Sequence, residues 1–177
     1  MRPGDGNQAF VDLPKRDDLQ ICIITFWATS RHLLSSINNQ PLKTMGAWDA
    51  TSFGNDTAND WAYDLEECND FSHIEATLQK VLDTGDDYLD SDAAVEGIAA
   101  AEVLAWLRGR PTPVNAYTEK IASWVAAHPI QPPPAMLQKA LSVLDRIQRQ
   151  PSELPELWEG DPDWTASMAD LHKRLTT

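Results

Sequence analysis

Cysteine is scarce in this sequence of 177 residues, and no apolar run is long. The two cysteines, Cys22 and Cys68, show no CxxC spacing, and a pair of reduced thiols is typical of a cytoplasmic protein. The apolar run of residues 21–28 is far shorter than the roughly 20 residues that a membrane-spanning helix needs. Asp17 and Asp18 precede it and no small-residue cleavage pattern follows, which argues against a signal peptide. The sequence therefore predicts a cytoplasmic protein without a membrane segment.

Motifs for metal, nucleotide or nucleophilic chemistry are also missing. The sequence contains no GxSxG, P-loop or GxGxxG motif, and its histidines show neither HxxxH nor HExxH spacing, which disfavours zinc. The acidic segment 83–92 holds five aspartates, but their spacing does not fit a calcium-binding loop and no glutamate closes it. We therefore predict no metal and no cofactor.

Basic residues are few, with 14 Lys and Arg against 27 Asp and Glu, for a net charge of −13. The imbalance lies in residues 45–177, which hold nine basic and 23 acidic side chains, whereas residues 1–44 hold five and four. Negative charge repels phosphate backbones and anionic lipid head groups, which disfavours nucleic acid and membranes as partners. Basic proteins, cations and neutral small molecules remain as possible partners. The alternative is that the charge serves only solubility.

Helical periodicity begins at Asn55, where apolar residues recur at helical spacing on a predicted first helix. Asn55 or Asp56 can cap this helix, and the sequence Ser72–Glu75 is typical of a capping box that opens a second one. The third predicted helix, 93–108, which Asp90 or Ser91 can cap, is apolar on nearly every side, so we expect it to be buried and central. Three more helices are predicted at 116–127, from Pro134, and after a cap at Asp161, with a short turn at 152–158.

The predicted fold is therefore all-α, a single compact domain of six to seven helices packed around the central apolar helix. Residues 1–44 do not share the acidic, helical pattern of the rest, so 45–177 is predicted to be the helical domain. The first 44 residues are interpreted either as an irregular, poorly packed extension or as a segment upstream of the true start. Met45 would then be the natural initiator.

Three sequence segments resemble a family. These are Met45-Gly46-Ala47-Trp48 followed by Asn55-Asp56-Thr57-Ala58, the segment around Tyr88-Leu89-Asp90, and Ser152-Glu153-Leu154. Together they resemble a mainly bacterial domain-of-unknown-function family, number 4259, over about residues 45–175. The chain departs from that pattern after Trp48, where the family usually has glycine and this chain has Asp49. Because the family has no assigned activity, the resemblance implies boundaries and no function.

Glu102 is the polar residue most in need of an explanation. Its neighbours one helical turn away are apolar, including Ile98 and Trp106, so the carboxylate lies on a buried stripe. A buried carboxylate must be paired, hydrogen-bonded or protonated. Glu102 is therefore either an acid or base in a pocket, or a structural tie that accepts hydrogen bonds from backbone N–H or indole N–H groups of residues 45–53.

The remaining candidate binding residues are Trp48, Asn55, Asp56 and Asp60. Each also has a structural interpretation, which is core closure for the tryptophan and helix capping or compensation of the helix dipole for the others. The charge and the missing motifs favour a non-enzymatic acidic helical module, regulatory or immunity-like, that docks a basic protein. The alternative is a small hydrolase or ligand-binding enzyme that uses Glu102 with Asp56 or Asp60.

Overall fold

The computed structural model describes residues 49–177, which form seven α-helices and no β-strand. Within this range, Leu89 and Ser152 form an isolated parallel β-bridge. The helices are α1 (Asp56–Glu66), α2 (Ser72–Asp83), α3 (Ser91–Leu107), α4 (Glu119–Ala127), α5 (Pro134–Gln148), α6 (Glu153–Trp158) and α7 (Pro162–Thr176). The all-α prediction is confirmed. The predicted N-terminal extension and Trp48 lie outside the described residues.

Helix α3 lies at the centre of the fold, as its composition predicts. Thirteen of its 17 residues are buried, and it packs against each of the other six helices. Seven of its residues are alanine or glycine, which lets the neighbouring helices approach closely. Gly97 marks a close approach, because a Cβ atom there would lie 3.0 Å from Val81 and 3.1 Å from Val143. The apolar character of α3 thus follows from its being covered on all sides.

Three predicted helix starts have the expected caps. The Asn55 side chain accepts the Ala58 N–H at 2.8 Å to begin α1, and Asp90 accepts the Ala93 N–H at 2.9 Å to begin α3. Asp161 accepts the Asp163 N–H at 2.8 Å at the start of α7. Each side-chain oxygen satisfies a backbone donor that has no partner within its helix.

Two predicted starts are wrong. Ser72 is the first residue of α2 rather than its cap, since the Asp70 carboxylate accepts the Ser72 N–H at 2.9 Å. The side-chain and backbone hydrogen bonds from Ser72 hold the pKa of Asp70 below its usual 3.8. Helix α4 begins at Glu119 instead of 116, because Asn115 accepts the backbone N–H groups of Tyr117 and Thr118 in a turn.

Arg146, buried on α5, holds the loops on either side of the Leu89–Ser152 bridge. Its guanidinium donates to the carbonyl oxygens of Gly85 at 2.6 Å and Arg149 at 3.1 Å. It also donates to the carbonyls of Asp87 and Pro151.

A separate observation concerns membranes. Within residues 49–177, no helix is both long and apolar enough to cross a lipid bilayer.

Candidate functional site

The Glu102 carboxylate is buried on α3, with 1% of the residue exposed, and it accepts five hydrogen bonds. Oε1 accepts from the Trp106 indole at 2.8 Å, the Thr112 hydroxyl at 3.2 Å and Nη1 of Arg174 at 2.8 Å. Oε2 accepts from the Ser52 hydroxyl at 2.9 Å and Nη2 of Arg174 at 2.7 Å. An ionised carboxylate offers about four lone-pair sites, so these donors occupy its accepting capacity.

Arg174, in the last turn of α7, forms a bidentate ion pair with Glu102. Its Nε also donates to Asp170 at 2.7 Å, and its Nη1 donates to the Arg110 carbonyl at 3.1 Å. Burial lowers the pKa of Arg174, but the hydrogen bonds and charges of Glu102 and Asp170 outweigh it and raise the pKa above its ordinary value. The guanidinium therefore stays charged.

Glu102 joins four parts of the chain. Ser52 belongs to the turn before α1, Trp106 to α3 itself, Thr112 to the loop after α3, and Arg174 to α7. The structural interpretation expected partners in residues 45–53, and Ser52 is one of them. The indole, however, comes from Glu102's own helix, and the strongest partner is an arginine 72 residues away in the sequence.

A cleft of about 290 Å³ opens beside this ion pair. We call it the Glu102 cleft. It is lined by the pair, by the carboxylate of Asp170, by hydroxyl groups that include those of Ser52 and Thr112, and by the apolar side chains of Phe53 and Pro113. Phe53 is itself buried, with 2% exposed. The cleft thus combines fixed charges, hydroxyl groups and apolar walls.

A second cleft, of about 470 Å³, lies between α1, α2 and α3 and includes Asp60. We call it the acidic groove, after its four carboxylates, Asp60, Asp64, Asp92 and Glu96. Lys80 pairs with Glu96 at 2.7 Å, and the Thr57 hydroxyl donates to Asp92 at 3.2 Å. Among the described residues, the carboxylates of Asp60 and Asp64 accept no hydrogen bond.

Aromatic rings line the same groove. The ring of His73 stacks on that of Trp61, with centroids 4.9 Å apart and planes inclined by 25°. The Trp61 indole donates to the Thr77 hydroxyl at 2.8 Å, whereas Nε2 of His73 is buried without a hydrogen-bond partner in the part of the chain that the structure describes. The groove therefore pairs acidic walls with a stacked aromatic surface.

The sequence candidates do not converge on one site. Glu102 and Asp60 line separate clefts, Asn55 caps α1, and Asp56 is an exposed residue in the first turn of α1. The residues that the structure adds to Glu102 are Asp170 and Arg174, both on α7. Within residues 49–177, no three His, Cys, Asp or Glu side chains are grouped to hold a metal ion.

These features define an all-α domain built on one central helix, whose surface clefts include the Glu102 cleft and the acidic groove. The family model described as a domain of unknown function, DUF4259, matches residues 46–169. The match spans well over half of the chain, so the chain belongs to this family, as the segments quoted above suggest. The matched range includes Glu102 and the acidic groove but ends before Asp170 and Arg174. No curated protein and no solved structure matches the chain significantly.

Proposed function

We propose that the chain is a non-enzymatic interaction module of the cytoplasm that docks a basic protein on the acidic groove. The unbalanced charge of its surface is the main support. Residues 49–177 carry 23 carboxylate side chains, and six of them form salt bridges with basic residues of the same range. The remaining carboxylates leave a negative field that attracts a positively charged partner and speeds its association.

The acidic groove concentrates this charge. Its four carboxylates face one lysine, Lys80, which is already paired with Glu96. Asp60 and Asp64 are separated by one helical turn on α1, and a like-charged pair at this spacing costs a helix roughly 0.2–0.5 kcal/mol. A lysine or arginine of a partner would relieve this repulsion. A regulatory or immunity-like role, in which binding itself is the activity, fits such a surface.

No observation in the described residues favours the hydrolase alternative. A general acid or base needs to reach the reacting atom with a free proton or lone pair. The oxygens of Glu102 already accept five hydrogen bonds, and Asp60 lines the other cleft. Asp56 lines neither of the two clefts.

The proposal is tested with the immobilised full chain as bait in a lysate of the cells from which it comes. The captured protein is then purified, and its affinity is measured at about 50 and 200 mM salt, between which electrostatic screening increases. We expect a basic protein whose affinity falls as salt rises. The variant Asp60→Asn/Asp64→Asn should weaken binding.

Asp87→Asn/Asp145→Asn is the matched control, because it removes the same charge from exposed residues outside the groove. We expect the control to bind like the unmodified chain. Equal weakening by both double variants would show that net charge, and not the groove, attracts the partner. Capture of no basic protein at either salt concentration would contradict the proposed function.

A further inference from the structure

The hydroxyl groups of Ser52 and Thr112 both donate hydrogen bonds to Glu102. Glu102 forms an ion pair with Arg174, and a carboxylate in an ion pair only accepts hydrogen bonds. Ser52 and Thr112 must therefore direct their protons to Glu102, at 2.9 and 3.2 Å. Both residues also line the Glu102 cleft, so they can meet a ligand there only with oxygen lone pairs. The ion pair thus converts two hydroxyl groups into hydrogen-bond acceptors.

Asp170 adds a third acceptor. Its Oδ2 accepts from Nε of Arg174 at 2.7 Å, and its Oδ1 has no hydrogen bond within the described part of the chain. The Asp170 side chain is 58% exposed, and it lines the same cleft. It therefore presents an accessible negative oxygen to whatever enters.

The charge of the cleft favours a cation. Glu102 and Asp170 are negative and Arg174 is positive, so the three groups sum to one negative charge. Four of the five N–H groups of Arg174 already donate, to Glu102, Asp170 and the Arg110 carbonyl. The donors left over are its fifth N–H, the Ser167 hydroxyl and the amide of Asn115. An anion that reached these donors would also lie beside the carboxylates of Glu102 and Asp170, which would repel it.

The size and walls of the cleft limit the ligand further. At about 290 Å³ it lies at the lower end of the range of ligand pockets, roughly 300–1,000 Å³. Pro113 is exposed and lines it with apolar surface, against which the methylene groups of an amine or a lysine can pack. A primary ammonium group carries three donors, and Ser52, Thr112 and Asp170 offer three accepting oxygens.

We propose that the Glu102 cleft binds a primary ammonium group on a short alkyl chain, with Ser52, Thr112 and Asp170 as its acceptors. Such a group belongs either to a free amine or to a lysine side chain of another protein. The inference does not depend on the partner proposed for the acidic groove, because the two clefts share no lining residue.

The test is a titration of the isotope-labelled full chain with n-butylammonium, followed by amide NMR. Sodium butyrate and butanol are the probes of equal length with negative and zero charge. We expect saturable shifts at Ser52, Thr112 and Asp170 with butylammonium, and none with the other two. Asp170→Asn should weaken binding about tenfold, the order expected for one hydrogen bond to a charged group. Thr112→Val keeps the shape, removes one acceptor and should weaken it less.

Asp145→Asn is the control, since it removes one charge from an exposed residue of α5 that does not line the cleft. Equal binding of butyrate or butanol, or equal affinity of the Asp170→Asn and unmodified chains, would overturn the proposal. A comparison with Nα-acetyl-lysine amide separates the sources of the ammonium group. Tighter binding of that compound assigns the cleft to a protein lysine, and tighter binding of butylammonium assigns it to a free amine.

Discussion

Glu102 and Arg174 hold opposite charges between α3 and α7, where the carboxylate is 1% and the arginine side chain 15% exposed. Removing one member of a buried ion pair leaves the other charge unpaired, which typically costs 3–5 kcal/mol. We therefore expect Glu102→Ala to lower the free energy of unfolding by about 3 kcal/mol, toward the low end because Asp170 still contacts Arg174. Urea unfolding followed by circular dichroism measures this change.

The double variant Glu102→Leu/Arg174→Met separates loss of the pair from loss of one partner. It removes both charges and fills the space with apolar side chains, a replacement that is often close to neutral. We expect it to be more stable than Glu102→Ala. Glu102→Ala with unchanged stability would contradict the structural role and would instead favour a role of the carboxylate in binding.

At this scale, the sequence predicted the polar residue but not its partner. Glu102 stands out because its neighbours one turn away on α3 are apolar. Arg174 lies in the last turn of its helix, where the helix dipole favours any cation, and nothing local shows that its side chain points inward. Arg146 was missed for the same reason, because its partners are backbone carbonyls of two loops that meet only in the folded chain.

The start of α2 depends on the Asp70 carboxylate. Its folded-state pKa lies below the usual value of 3.8, so its contribution to stability is complete at pH above 3.8 and is lost as pH falls through the lower folded value. We expect carboxyl NMR to show Asp70 titrating below pH 3.8. Asp70→Asn should remove this part of the acid dependence of unfolding. Titration of Asp70 at or above pH 3.8 in the folded chain would contradict the capping role.

The packing of α3 against α2 and α5 depends on the small size of Gly97. A Cβ atom there would lie 3.0 Å from Val81, 3.1 Å from Val143 and 3.4 Å from Ile147. Gly97→Val adds two further carbons, so we expect overpacking to cost about 1–3 kcal/mol in urea unfolding. Ala126→Val on the exposed face of α4 is the control, which should lose only the helix-propensity difference, below about 0.7 kcal/mol. Equal losses in both variants would show that Gly97 is not a packing constraint.

Helix starts were predictable where one side chain decides them locally. Asn55, Asp90 and Asp161 each precede a helix and accept from a residue two or three positions later. The prediction failed at Ser72 because the helix starts one residue earlier: the Glu75 N–H, which a Ser72 cap would bind, donates to the Phe71 carbonyl, and the Asp70 carboxylate accepts the Ser72 N–H. Periodicity and caps together therefore defined most of the elements.

The net charge of the whole molecule could also be predicted from the sequence, but the positions of the charged groups in the fold could not. Composition alone gives the excess of acid in residues 45–177. The acidic groove takes its carboxylates from α1 and α3, and the Glu102 cleft takes its charges from α3 and α7. Which acidic residues become neighbours depends on how these helices pack, and no local pattern encodes that packing. For this reason the sequence paired Glu102 with Asp56 or Asp60, whereas the structure places it with Asp170.

The domain boundary leads to a prediction for the whole molecule. All seven helices of residues 49–177 share one core around α3, and the family match begins at residue 46. We therefore expect a fragment of residues 45–177 to unfold in one cooperative thermal transition with the Tm of the full chain. A fragment of residues 72–177 is the control, because it lacks α1 and removes Trp61 and Leu65 from the core. It should be largely unfolded, since losing several buried side chains at about 2–5 kcal/mol each exceeds the 5–15 kcal/mol that keeps a typical domain folded. A clearly lower Tm of the 45–177 fragment would show that the domain extends into the first 44 residues.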